Sequence, residues 1–369
     1  MRHIDTALIH GETHLRDHAT GAVNIPIYQT STYAQIDADL NSGKTPVYEY
    51  SRTGNPTRAA LESLIATLES GADGTAYASG MAAITAVLSL FKSGDAVVIG
   101  TNVYGGTYRV LDKVFTRFGI SYKIVDTSDL TAFEEALTDD VKLVLIETPS
   151  NPLLTLTDIS AVASLTKKRG IYLAVDNTFM TPYLQRPIEQ GADIVIHSAT
   201  KYLGGHSDVI AGLVVVSDKE LAERLRFIQN ATGGILQPFD SYLLIRSIKT
   251  LGVRMDRHVE NAKFIAERLS GNKAVKKLYY PDVGAMISFE LADGHSPHEF
   301  FKKLGIVVLA ESLGGVESLV CHPAVMTHAS MPKEIREKAG ITDSLVRLSV
   351  GIEDKRDLIA DIENALAGN

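Results

Sequence analysis

The sequence has a single cysteine, Cys321, in 369 residues. That excludes an intrachain disulfide and fits a reducing compartment. No apolar run approaches the ~18 residues of a membrane span. The opening Met1-Arg2-His3-Ile4-Asp5 lacks the long apolar core of a signal peptide. A cytoplasmic protein without a membrane partner is the expectation. An excess of basic residues is also missing: 36 Lys and Arg stand against 44 Asp and Glu, a formal net charge of -8. Nucleic acid, which calls for a basic stripe, is not an expected partner. The 29 Gly and 12 Pro are dispersed, and neither a low-complexity segment nor an internal repeat is present.

Several site motifs are absent too. No strand is followed by Gly-x-Gly-x-x-Gly, which argues against a nicotinamide dehydrogenase. Gly43-Lys44-Thr45 has Ala38 where a phosphate loop needs its first glycine. His10-Gly11-Glu12-Thr13-His14 puts the acid in the wrong place for His-Glu-x-x-His, so no metal is expected. Cys321-His322 suits a buried small apolar residue better than a thiol nucleophile.

What remains is a packed, enzyme-sized chain with 45% hydrophobic and 22% charged residues. Its length exceeds the usual limit for one core and predicts roughly two to three domains. Residues 1–50, with Pro26 and Pro46 and no long amphipathic helix, read as an arm. Such an arm reaches a partner subunit or straps its own. Helical signals follow over 56–69, 81–91 and 158–168. Between them, the apolar runs 96–99, 143–146, 172–175, 194–196 and 213–216 read as strands covered on both faces. This alternation predicts an α/β domain over 51–240 with a mostly parallel sheet wrapped by helices. From residue 241 a smaller α+β unit is expected to run to 369. Its signals are a long charged helix over 239–270, strands at 286–290 and 345–349, and a helix near 297–303.

In such sheets ligands gather at the carboxyl ends of strands, where Asp176 and Lys201 fall. Ser198-Ala199-Thr200-Lys201 after one buried strand and Asp176 at the end of another place an amine, an acid and two hydroxyls together. Pyridoxal phosphate needs these groups: a lysine for an imine, an acid at the pyridine nitrogen, and hydroxyls for the phosphate. Ser79-Gly80-Met81 opens the helix over 81–91 and adds a helix N-terminus with a small residue for close approach. Each part has an ordinary alternative, since the aspartate serves equally as a cap, the lysine as a surface charge and Ser-Gly as a turn.

The chain resembles the cystathionine gamma-synthase and gamma-lyase group of fold-type I pyridoxal phosphate enzymes. The resemblance rests on Tyr48-Glu49-Tyr50-Ser51-Arg52-Thr53-Gly54-Asn55-Pro56-Thr57, Ala78-Ser79-Gly80-Met81-Ala82, Val103-Tyr104-Gly105-Gly106-Thr107 and Glu147-Thr148-Pro149-Ser150-Asn151-Pro152. It continues through Asp176-Asn177-Thr178-Phe179, Ser198-Ala199-Thr200-Lys201-Tyr202, Glu311-Ser312-Leu313-Gly314-Gly315 and Arg347-Leu348-Ser349-Val350-Gly351. These matches span nearly the whole length in order. They imply a mostly parallel seven-stranded sheet and a homotetramer built from two dimers.

The resemblance implies that Lys201 is the imine lysine and proton shuttle, and that Asp176 pairs with the pyridine nitrogen. Ser198, Thr200, Gly80 and Met81 would hold the phosphate, and Tyr104 would stack on the ring and aid proton transfer. Tyr50 and Arg52 would reach the phosphate of the neighbouring subunit. Arg347 and Asn151 would hold the substrate carboxylate, with Ser312 nearby and Glu311 facing the distal amino group of cystathionine. Gly105-Gly106 stands where methionine gamma-lyases resemble one another in carrying a cysteine, which disfavours that activity. The expected reaction is cystathionine gamma-lysis, to cysteine, 2-oxobutyrate and ammonia. Gamma-synthesis from an acylated homoserine and beta-lysis use the same residues, and a non-catalytic binding protein is a remote alternative. Family members usually carry a longer loop where only Asp282-Val283 separates Tyr279-Tyr280-Pro281 from Gly284.

Overall fold

The computed structural model describes residues 2–12, 16–17, 20–35, 47–327, 329 and 333–367. Ala38, the string at 43–45, Pro46, Thr13 and His14 lie outside the described residues. Seven strands form the larger sheet: β1 (Asp73–Tyr77), β2 (Ala96–Gly100), β3 (Ser121–Val125), β4 (Val141–Glu147), β5 (Tyr172–Asp176), β6 (Ile194–Ser198) and β7 (Gly212–Val216). Their spatial order is β1-β7-β6-β5-β4-β2-β3, with β7 antiparallel to both neighbours and the other pairs parallel. The architecture is α/β with a mostly parallel sheet, as the alternation of apolar runs and helices predicts.

Strands β2 and β4 to β7 are legible as apolar runs because both sheet faces are covered. Two strands escape that reading. β3 lies at the sheet edge and its residues are exposed or half-buried, so Ser121 and Lys123 are tolerated there. β1 has the sequence Asp-Gly-Thr-Ala-Tyr and is held by pairing with β7, Asp73 opposite Val216. Gly74 is required in it, since a side chain there would sit 2.5 Å from the Glu62 carbonyl.

Helix Pro56–Leu68 starts with proline at its first position, and the Asn55 side chain accepts the Thr57 and Arg58 amides. Helix Gly80–Leu88 is capped by Ser79, whose Oγ accepts the Ala82 amide at 3.1 Å. It ends before the expected residue 91, where the Leu90 and Phe91 amides bind the Val87 and Leu88 carbonyls three residues back, each at 3.2 Å. The long helix expected over 239–270 is two helices, Pro238–Ile248 and Leu251–Ser270. At the break, the Ser247 carbonyl accepts the Thr250 hydroxyl at 3.1 Å and Arg254 Nη2 at 3.0 Å.

The described part of the arm straps onto helix Pro56–Leu68. Thr57 Oγ1 accepts the Tyr28 amide at 2.9 Å and donates to the Pro26 carbonyl at 2.8 Å. A short helix, Ile4–His10, buries Ala7 and Leu8.

The second sheet contains β8 (Val275–Tyr279), β9 (Met286–Leu291), β10 (Val308–Leu309), β11 (Leu319–Cys321) and β12 (Leu345–Ser349), in the order β10-β11-β12-β9-β8. Residues 280–285 join β8 to β9 through a tight turn, with Gly284 at φ 71° and the Tyr280 hydroxyl donating to the Gly284 carbonyl at 3.2 Å. One apolar cluster runs from helix Pro56–Leu68 through helix Leu251–Ser270 to β9, β12 and helix Lys355–Ala367. Ser288 in β9 donates to the Pro152 carbonyl at 2.6 Å, tying this sheet to the loop after β4. Among the described residues no helix is long and apolar enough to cross a membrane, and no cluster of three metal-ligating side chains occurs.

Candidate active site

The carboxyl ends of β4, β5 and β6 open into a cleft of about 340 Å³. Glu147, Asp176 and Ser198 are the last residues of those strands. Gly80, Met81, Tyr104, Asn151, Thr200, Lys201, Glu311, Ser312 and Arg347 join Asp176 and Ser198 in lining it. Segments hundreds of residues apart in the chain thus converge on one space.

Lys201 follows β6 and its Nζ donates to Ser312 Oγ at 3.1 Å. Burial lowers its ammonium to about 8, and the Arg347 cation pushes the same way against the opposing charge of Glu311. A far larger share of the amine is therefore neutral near physiological pH than for a surface lysine.

Asp176 is anchored through one oxygen. Its Oδ1 accepts the Thr178 amide at 3.0 Å and the Thr178 hydroxyl at 2.5 Å. The same hydroxyl accepts the Ser198 amide at 2.8 Å, so Thr178 sets the ends of β5 and β6 together. Burial raises the Asp176 carboxyl, while the Thr178 bonds and the nearby His197 oppose that rise. His197 is turned away from the cleft by strand alternation. Its Nε2 lies 2.6 Å from Glu69 Oε1, both side chains being fully buried, and Asn177 Nδ2 donates to the same oxygen at 2.9 Å.

Arg347 is carried by β12 at the centre of the second sheet. Its Nη1 donates to Asn151 Oδ1 at 2.8 Å and its Nη2 to the Ser312 carbonyl at 3.0 Å. The buried Nε has no partner among the described residues, leaving donor capacity for an anion. Glu311, next to Ser312, is exposed within the same cleft.

Tyr104 stands at the N-cap of helix Gly105–Lys113. A side chain at Gly106 would meet its ring at 2.4 Å and the Met81 sulfur at 2.8 Å, so glycine there lets the ring lie against the helix start. Gly80 is needed for the same reason: its missing Cβ would fall 2.9 Å from Ser198 Cβ. The first amides of helix Gly80–Leu88 have no carbonyl four residues back to bind, and they border the hydroxyls of Ser198 and Thr200.

Two expected site residues lie outside this cleft. Tyr50 and Arg52 are exposed, with the Arg52 guanidinium 5.5 Å from the Tyr50 ring centre. Arg52 Nη1 donates to Asn230 Oδ1 at 2.8 Å. Glu147 and Thr178 are the residues that sequence reasoning missed. Both occur inside the motifs quoted above. Glu147, like Asp176, is an acid ending an apolar run, and that shared signal could have found it. Its Oε2 accepts the Tyr104 amide at 2.9 Å. Burial, followed by the neighbouring Asp176, raises its carboxyl well above the usual range.

The family model described as "Cys/Met metabolism PLP-dependent enzyme" matches residues 5–367. A cystathionine beta-lyase of Lactococcus lactis subsp. cremoris (strain MG1363) is 53% identical, with 99% of each chain covered. A cystathionine gamma-lyase of Bacillus subtilis (strain 168) is 54% identical, with 98% of each chain covered. The crystal structure of cystathionine gamma-lyase from Lactobacillus plantarum complexed with L-serine superposes with a TM-score of 0.95 at 49% identity, covering 99% of both chains. With the strand-end lysine and aspartate in one cleft and likeness running from end to end, this chain belongs to the pyridoxal phosphate-dependent enzymes of cysteine and methionine metabolism.

Proposed function

We propose that the chain splits cystathionine at its gamma carbon, giving cysteine, 2-oxobutyrate and ammonia with uptake of water. The observation that carries this reading is the presence of Arg347 and Glu311 in one cleft with Lys201. Arg347 suits the substrate carboxylate and Glu311 the distal ammonium, so a diacidic diamino substrate finds a counter-charge at both ends.

The residues present fit pyridoxal phosphate. Gly80 lets the helix start lie directly against Ser198, and the Gly80 and Met81 amides, ahead of the Ser79 cap on Ala82, suit a phosphate. Ser198 and Thr200 would add hydroxyls to the phosphate, Asp176 would serve the pyridine nitrogen, and Tyr104 would stack on the ring. Held by Lys201, the cofactor would supply the electron sink for charge developing on the substrate. The chain supplies the rest. Arg347 and Asn151 orient the substrate carboxylate, and Ser312 steadies the Lys201 amine. Lys201 takes the substrate alpha proton and carries protons between its carbons, with Tyr104 in the same cleft as a second proton carrier.

Tyr50 and Arg52 act on the phosphate of a neighbouring copy, so the dimer is the smallest active unit, and two dimers make a homotetramer. Their exposed position outside their own cleft supports this reading. An active monomer in sedimentation would sink it.

Beta-cleavage of the same substrate is the second reading, supported by near-equal likeness to relatives named for either cleavage. Incubation of the purified protein with pyridoxal phosphate and cystathionine, followed by mass spectrometry of the keto acid, separates the two. 2-Oxobutyrate is expected, and pyruvate would overturn gamma-cleavage in favour of beta-cleavage.

A further inference from the structure

Helix Pro56–Leu68 carries two charged side chains that are almost wholly buried, Arg58 and Glu62, and neither touches the cleft. The Arg58 fork points back along the chain. Its Nη1 donates to the Ser51 carbonyl at 2.7 Å and its Nη2 to the Arg52 carbonyl at 3.2 Å. Its Nε faces Glu62 Oε1 at 3.5 Å, one helical turn on. That same oxygen accepts the amide of Ala76 in β1 at 2.9 Å. β1 leads directly to Ser79 and the first amides of helix Gly80–Leu88. Glu62 Oε2 is held by Arg226 Nη1 at 3.3 Å, and Arg226 also binds both oxygens of Asp73 at 2.6 Å.

A buried ion pair is a poor device for stability alone, because well-packed apolar groups of similar volume do as well or better. A planar guanidinium binding two successive carbonyls does something apolar groups cannot: it fixes the orientation of consecutive peptide planes. The planes fixed here are those that carry Arg52.

We infer that Arg58 and Glu62 are positioning residues for cofactor phosphate, setting the loop at 50–52 that one copy lends to its neighbour and steadying that copy's own phosphate cradle at 79–81. This rests on the reading above that Tyr50 and Arg52 act on the phosphate of a second copy of this chain.

The test is the affinity of cofactor-free protein for pyridoxal phosphate and for pyridoxal, followed by the absorbance of the bound cofactor. R58K keeps a charge toward Glu62 but cannot bind both carbonyls. It should weaken pyridoxal phosphate about tenfold, the size of one lost charged hydrogen bond, and leave pyridoxal unchanged. E62Q keeps an acceptor for the Ala76 amide and should shift the same ratio by about threefold. In hybrid dimers of R58K with K201A, the one intact lysine site receives its loop from the K201A copy, and its affinity should return to the wild-type value.

Equal loss for both ligands, or no loss in R58K and E62Q, overturns the inference while leaving the cofactor assignment intact. Should R58K fail to fold, an unchanged ratio in E62Q overturns it alone. R52A is the control for the underlying reading: if it shows no phosphate-selective loss, that reading falls and the positioning role with it.

Discussion

Glu147 and Asp176 are register partners at the carboxyl ends of β4 and β5, which brings two half-buried carboxyls side by side in the lining of the cleft. They are not equivalent. Asp176 receives two hydrogen bonds from Thr178, whereas Glu147 receives the Tyr104 amide and is raised the further by its neighbour's charge. Like charges this close separate in their titration, and the better-bonded member keeps the negative charge.

Glu147→Gln tests that division. The folded value of Glu147 lies above its ordinary 4.5. Its neutral form therefore contributes stability that is complete below 4.5 and is lost as pH rises toward the folded value. A permanently neutral glutamine avoids that loss. The gap in Tm between E147Q and the parent should open in favour of E147Q between pH 4 and pH 8. A gap that stays constant across that range would mean Glu147 is ionised in the fold.

Lys201 has a value lowered to about 8, so its neutral amine becomes the main species above that pH. Uptake of pyridoxal phosphate by cofactor-free protein should rise about tenfold per pH unit below 8 and level off above it. Stopped-flow absorbance measures the profile. K201A should lose the covalently held cofactor and at least about 10³-fold in turnover.

Arg347 is the second cause of the lowered Lys201 value, after burial. R347Q removes that cation, and the uptake profile should move to higher pH. It also strands Asn151 and the Ser312 carbonyl without their donor. The KM for cystathionine should rise about 30-fold, as expected for a lost charge-assisted contact of about 2 kcal/mol. Steady-state kinetics of R347Q beside R347K checks this, with R347K restoring charge but not the fork.

Glu311 is assigned to the distal ammonium of the substrate. E311Q should raise the KM for cystathionine about tenfold, the size of one ion contact at a half-wet site. A gamma-substituted amino acid with no distal ammonium should be unaffected. Equal loss on both substrates would remove the assignment.

Thr178 donates to Asp176 and accepts from Ser198 through one hydroxyl. T178V keeps the volume and deletes both bonds, leaving a half-buried carboxylate and amide short of a partner. Urea unfolding should show a loss of about 1–3 kcal/mol. The rise in Asp176 should also grow, because the Thr178 hydroxyl bond is the largest of the effects that oppose it.

Asp176, Lys201 and the helix opening at Gly80 were legible in the chain because each sits where an apolar run meets a polar end, a boundary that local composition marks. β2 and β4 to β7 were legible for the same reason, being covered on both faces. β1 and β3 were not, since a strand carrying Gly74 or Lys123 is stabilised by the neighbour it pairs with. The motif around Arg347 pointed to a carboxylate fork, but its contact with Asn151, 196 residues earlier, exists only after the second sheet packs on the first.

By itself, the sequence determined most of the element types, the strand-end chemistry and the family, because these follow from patterns a few residues long and from motifs in order. Tertiary structure alone decided that Glu147 shares its site with Asp176, that burial beside Arg347 lowers Lys201, and that Arg58 reaches back to the carbonyls of Ser51 and Arg52. Desolvation and charge proximity depend on which distant segments close over a side chain, and no local pattern encodes that.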